Sequence, residues 1–215
     1  MPIKFNFSDP KLSKSLFKVI AVAAVVSMFN VSCKTAVTGE QISATSEESK
    51  FSEFVDAQGN ISLPINYRTT FTHMGTYSVA TKTGGMTDEM HGVYTRPVDA
   101  QAYRRDGRFP DGAILVKEVY STKSEPLTTG DVSWASTVKI WFVMVKASKG
   151  RFKGNSLWGD GWGWALFEAK NPLKQVAHDY KGECRACHVP AQKNDWLYVS
   201  RFPDLQKPFP ASNSK

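Results

Sequence analysis

Two cysteines and a histidine make the chemistry-bearing cluster of this chain. In "GECRACHVPAQKND", Cys184 and Cys187 are two residues apart and His188 follows directly. A C-x-x-C pair serves zinc sites, redox-active dithiols and covalent haem anchors. Zinc needs four protein ligands in a structural site and three in a catalytic one. No second cysteine pair exists, and His73, His91 and His178 stand alone in the sequence. A thioredoxin-like dithiol opens a helix early in an α/β pattern, whereas this motif lies near the C-terminus of a chain patterned mostly as β. Haem attachment uses every residue: each thiol adds across a vinyl group, and His188 becomes the axial iron ligand. One covalently attached haem c is expected.

The N-terminus agrees with that chemistry, because covalent haem attachment occurs outside the cytoplasm. Residues 1–32 place Lys4, Lys11, Lys14 and Lys18 ahead of the apolar run 19–31, the pattern of a secretory signal peptide. The run is shorter than the ~20 residues a spanning helix needs. Cys33 follows in "FNVSC", a setting like a lipoprotein box with Asn30 where an aliphatic residue is usual. The reading is export to the bacterial periplasm or cell envelope, with lipidation at Cys33 the only membrane attachment; an uncleaved membrane anchor and a free Cys33 thiol are the alternatives. Removing 1–32 takes away four lysines and Asp9, so the net charge drops from +7 to +4. That is too mild for a nucleic-acid partner, and no basic run with interleaved aromatics occurs.

The elements that must position the anchor follow. Residues 33–50 are small and polar, a flexible tether. Residues 51–215, long enough for one core, form the haem domain. A short helical piece, a Gly-Asn turn and a strand through Tyr77 come first; "HGVYTRP" is a short strand, and Asp99 caps a helix ending at Gly107. "AILVKEVYS" (113–121) alternates: Ile114, Val116, Glu118 and Tyr120 share one face, Leu115, Lys117 and Val119 the other. Lys117 is thus a snorkelling edge lysine or an amine brought against a buried group, where desolvation lowers its pKa. "STVKIWFVMVKA" (136–147) puts Val138, Ile140, Phe142 and Met144 on one side and Trp141, Val143 and Val145 on the other, apolar on both as in a central strand. "RFKGNSLWGDGWGWALFEA" then carries Trp158, Trp162 and Trp164 among glycines, and Trp162 and Trp164 are candidate walls of a haem pocket. The anchor sits on a short helix over 177–187. The fold class is mainly β: an antiparallel sheet with short helices and haem on a C-terminal helix or loop.

The order of "DGAILVKEV", "WFVMVK", "GWGWALFEA", C-x-x-C-H and "NDWLYVSRFP" resembles the cytochrome P-460 family over roughly residues 63–205. The resemblance implies a mainly antiparallel β domain, one haem c against the sheet, and a homodimer. It implies thioether links at Cys184 and Cys187 and an axial bond from His188. Members that oxidise hydroxylamine also bond the haem ring through a lysine, and Lys117 falls on that position. Those members carry a distal carboxylate from the strand corresponding to about 141–146. Here that strand offers Val143, Met144 and Val145, closer to the apolar distal pocket of the related cytochromes c′-beta, which bind nitric oxide or carbon monoxide. Glu118 and Asp131 are the carboxylates left to substitute.

Three functions compete. The first is a haem c protein that binds or redox-processes small nitrogen or gas ligands such as NO and CO. The second is an oxidoreductase acting on hydroxylamine or a similar small nitrogen compound, with Lys117 cross-linked to haem and His91 a distal proton carrier. The third is an electron-transfer cytochrome in which His178, His91 or Met144 opposes His188, with a redox partner cytochrome. The first two rank close together, and the missing carboxylate favours the first.

Overall fold

A computed structural model describes residues 51–80 and 86–206. The signal peptide, Cys33 and the tether lie outside the described residues. Seven strands among them form one antiparallel sheet: β1 (Thr72–Val79), β2 (Glu89–Thr95), β3 (Ile114–Leu127), β4 (Gly130–Lys146), β5 (Trp158–Gly159), β6 (Trp162–Glu168) and β7 (Asn171–Gln175). The order is β1-β2-β3-β4-β6-β5, with β7 also pairing β6. The mainly β expectation holds.

β4 lies between β3 and β6, as its two apolar faces require. β3 and β4 make a hairpin longer than the sequence pattern suggested, because its outer half, exposed on both faces, carries no hydrophobic alternation to read. Leu127 pairs Gly130 across a two-residue turn, and Gly130 takes φ 119°, a conformation open to glycine.

Strand parity divides the core. Ile114, Val116, Val143, Val145 and Phe167 face a cluster closed by Val55, Ile61, Leu63 and Tyr67 of the N-terminal segment. Leu115, Met144, Trp162 and Trp164 face the second cluster, which includes Tyr180, Trp196, Leu197 and Phe202 of the C-terminal segment. The segment over 51–66 holds a lone bridge between Val55 and Ile61 where a helical piece was expected; the first helix is the single turn α1 (Tyr67–Thr70).

The helix α2 (Pro97–Asp106) ends as expected, on Gly107 in the left-handed conformation. Its start corrects the sequence reading. Pro97 occupies the first turn after Arg96, and Asp99 lies inside the helix, not at its cap. Asp99 instead accepts hydrogen bonds from Arg96 Nε at 2.7 Å and from the Ile114 N–H at 3.3 Å. It therefore fastens the helix to the start of β3. Among the described residues no helix is long and apolar enough to cross a membrane.

Candidate functional site

Helical geometry assembles the anchor. A wide π turn (Lys181–Arg185) runs into the single α turn α3 (Ala186–His188). Residues three and four apart in a helix share a face, so Cys184, Cys187 and His188 project together. All three line a cavity of about 420 Å³ between the sheet and the C-terminal segment. Val93, Leu115, Lys117, Phe142, Met144 and Trp164 form much of the sheet wall. Tyr77 of β1 belongs to the same wall, and Leu197, Tyr198, Arg201 and Phe202 of the C-terminal segment line the cavity as well.

His188 is set for metal ligation. Its Nδ1 lies 2.8 Å from the Trp196 carbonyl oxygen. A carbonyl only accepts, so Nδ1 carries the proton and Nε2 keeps its lone pair, the form that can ligate a metal. Trp164 meets the imidazole edge-on, with ring centroids 4.8 Å apart. Burial pushes the imidazole below its ordinary range, with the Trp196 bond opposing and the Lys117 charge adding to the shift. The ring is thus held neutral, the form that donates to a metal.

The loop beneath His188 is itself constrained. Asp195 and Trp196 take φ of 58° and 69°, a left-handed conformation costly for bulky residues. Asp195 compensates by accepting the Phe109 N–H at 2.9 Å and pairing with Lys146, while the Trp196 N–H bonds the Ala191 carbonyl at 3.1 Å. The Lys146 ammonium also sits 4.8 Å from the Trp162 ring centroid. These contacts place the carbonyl that orients His188.

Lys117 sits on the cavity wall, with its ammonium 4.1 Å from the Phe142 ring centroid. Burial lowers its pKa, offset in part by Cys187, Cys184 and Glu89. A desolvated amine with a depressed pKa spends more time as the nucleophilic free base. The Cys184 thiol is pushed up to about 11, chiefly by burial, and both cysteines are free.

Other expectations sort by face. Trp164 lines the cavity; Trp162 does not reach it, because it is packed against Phe109 and under Lys146. Trp158 belongs to the opposite cluster and donates to the Gly59 carbonyl at 2.8 Å. The glycines among these tryptophans make room for protein rings. A Cβ on Gly159 would sit 2.2 Å from Tyr180, and one on Gly163 would sit 2.6 Å from Trp158.

Glu118 is on the far face of β3, where it accepts from Tyr67, from Tyr94 at 2.8 Å and from Arg68 at 2.9 Å; it cannot serve the cavity. Asp131 is at the hairpin end, paired with Pro126. The carboxylate on the cavity wall is Glu183, beside the anchor cysteine, and it accepts the His178 N–H at 3.0 Å. His178 is exposed and His73 bonds Thr76, so neither opposes His188; of the three proposed opposing ligands, Met144 lines the cavity. His91 lies behind Tyr77, not on the wall.

Neither alternative metal nor vacant space explains this arrangement better than a flat iron-bearing ring. Among the described residues, no group of three or more His, Cys, Asp or Glu side chains is arranged to hold a bare metal ion. Two thiols and an imidazole with its lone pair free, projecting together into an apolar cavity, fit a haem. The sequence model of the family described as Cytochrome P460 matches residues 64–199. No curated protein matches the chain.

Proposed function

On the premise that the chain belongs to the cytochrome P460 family, a family of haem c-type cytochromes, we propose that it carries one covalent haem c and binds or redox-processes small nitrogen or gas ligands outside the cytoplasm. The observation that carries this reading is the convergence of Cys184, Cys187, His188 and Lys117 on one cavity. Bound there, the haem supplies an iron centre able to take a small ligand and exchange single electrons. The chain's own residues do the rest. Cys184 and Cys187 tether the ring through thioethers. His188, oriented by the Trp196 carbonyl, ligates the iron. Val93, Leu115, Phe142 and Met144 exclude water from the sheet side, which favours small apolar ligands such as NO and CO. Arg201, on the cavity lining, would offer a cation to an anionic group of the haem.

Lys117 supports a second reading, oxidation of hydroxylamine or a similar compound with a Lys117–haem bond. Its partly buried amine is in the cavity and its pKa is depressed. Export by the N-terminal signal, lipidation at Cys33, a homodimer and a redox partner cytochrome complete the proposal.

The test is protein made with haem-attachment machinery. The first reading expects high-spin, five-coordinate ferric iron and a ferrous form that binds CO and NO. The second expects a broadened, red-shifted Soret band and a Lys117 peptide that carries porphyrin. Six-coordinate, CO-inert iron identifies an electron carrier, and colourless or zinc-loaded protein sinks all three.

A further inference from the structure

Behind the cavity wall, three side chains are connected in a fixed order. Tyr77 of β1 lines the cavity, and its register partner His91 of β2 places Nδ1 3.2 Å from the Tyr77 hydroxyl. His91 Nε2 lies 3.0 Å from Glu89 Oε2, and the other Glu89 oxygen accepts from Lys139 of β4. Side-chain exposure rises along this path, from 12% at His91 to 27% at Glu89 and 49% at Lys139. The chain of groups runs from the cavity to solvent.

Donor and acceptor roles follow from chemistry. A carboxylate accepts, so in the neutral ring Nε2 carries the proton and Nδ1 presents its lone pair to Tyr77. The Tyr77 hydroxyl therefore donates to His91, while its oxygen accepts from the Arg201 side chain and shares its remaining acceptor capacity with a donor in the cavity. The arrangement is that of a base oriented by a carboxylate and acting through a hydroxyl.

We propose that Tyr77, His91 and Glu89 form a proton relay that takes protons from protic ligands in the haem cavity to bulk water. The relay rests on the haem reading above. A protic ligand gives its acidic proton, from N–H, O–H or the C–H of hydrogen cyanide, to Tyr77 Oη while the Tyr77 proton passes to His91 Nδ1. The imidazolium then sheds its Nε2 proton through Glu89 to water, and tautomer exchange restores the ring. One proton enters and one leaves, and no electron moves. His91 thus acts through Tyr77, one position further from the ligand than a distal carrier.

The surroundings suit a base. Burial chiefly disfavours the imidazolium, Glu89 favours it, and Lys117 from β3 and Arg201 from the C-terminal segment add to the effect of burial. Lys139 from β4 holds Glu89, with Tyr77 from β1 on the other side of the ring. Arg201 covers the Tyr77 ring at 4.9 Å and also covers Tyr198 at 4.2 Å.

The probe is hydrogen cyanide, whose binding to ferric haem requires loss of its proton. Tyr77→Phe and His91→Gln should each slow cyanide association at pH 6–8 by about tenfold or more, within the range for a positioned base. The double variant should be no slower than the slower single one, because the groups act in series. Carbon monoxide association with ferrous protein, which moves no proton, reports cavity integrity. Nitrogen NMR of the ferrous CO complex should show His91 protonated at Nε2. Normal haem and carbon monoxide binding with unaltered cyanide rates overturns the relay alone, as does an Nδ1-protonated His91. Protein that takes up no haem overturns the haem reading and the relay with it.

Discussion

Replacing Lys146 with methionine removes the cation that faces Asp195, next to the Trp196 carbonyl that orients His188. Both side chains are largely buried, 11% and 9% exposed, so the substitution leaves a carboxylate in a poorly solvated place with the Phe109 N–H as its remaining partner. Breaking a buried pair from one side costs about 3–5 kcal/mol, mostly the penalty on the stranded charge. The contact of the ammonium with Trp162 is lost as well. That is a large part of the ~5–15 kcal/mol that holds a typical domain together. For a domain of this size each kcal/mol lowers Tm by about 2–4 °C, so a fall of roughly 6–20 °C is expected. Adding Asp195→Asn removes the stranded charge while keeping an acceptor for Phe109, so the double variant should recover part of the loss. Thermal and urea unfolding of the two variants measure it. The loop should also loosen, weakening the Trp196 carbonyl's hold on His188 and lowering the iron–histidine stretching frequency of the ferrous protein. A Lys146→Met variant within 1 kcal/mol of the parent, or a double variant worse than the single one, refutes the reasoning.

The Tyr94 hydroxyl is pushed from 10.0 up to about 12 by burial and by Glu118. A folded-state pKa above the unfolded one contributes stability that is complete below pH 10 and disappears as pH climbs toward 12. Urea midpoints across that window should fall, and Tyr94→Phe should flatten the fall. Gly159→Ala drives a methyl group into Tyr180, which stacks 6.1 Å from Trp164, so overpacking should cost about 1–3 kcal/mol by urea unfolding. Gly182→Ala, whose nearest contact is Asp179 at 3.4 Å, should stay within about 0.5 kcal/mol. Cys184→Ala with Cys187→Ala should leave any bound haem extractable by acidified acetone, whereas pigment retained on the chain would locate a covalent bond elsewhere.

Period-two patterning made the two faces of β3 and β4 legible, and with them the placement of Lys117 opposite Glu118. The cysteine spacing carried the anchor, because one helical turn suffices to bring its three side chains together. What patterning could not carry was depth behind the wall. His91 was visible as a lone histidine, but its distance from the cavity depends on Tyr77, which reaches it through strand pairing 14 residues away. The tryptophans misled in part for the same reason. Trp162 and Trp164 share a face of β6, and only the loop carrying Asp195 decides which one borders the cavity. Glu183 escaped notice because the π turn that aims it has no signature in residue type. The outer half of the hairpin was missed because sequence alternation is absent where neither face is covered.

The two faces of β3 carry opposite charges on consecutive residues, an amine toward the cavity and a carboxylate toward the tyrosines. A side-chain period of two means that one inserted or deleted residue at the start of this strand would exchange them. The carboxylate would then enter the pocket and the ammonium would be stranded among phenols and a guanidinium. A one-codon length change within the strand would therefore invert the interior, whereas one in the connection before Ile114 need not, so the spacing from Ile114 to Lys117 is what keeps the ammonium on the cavity side.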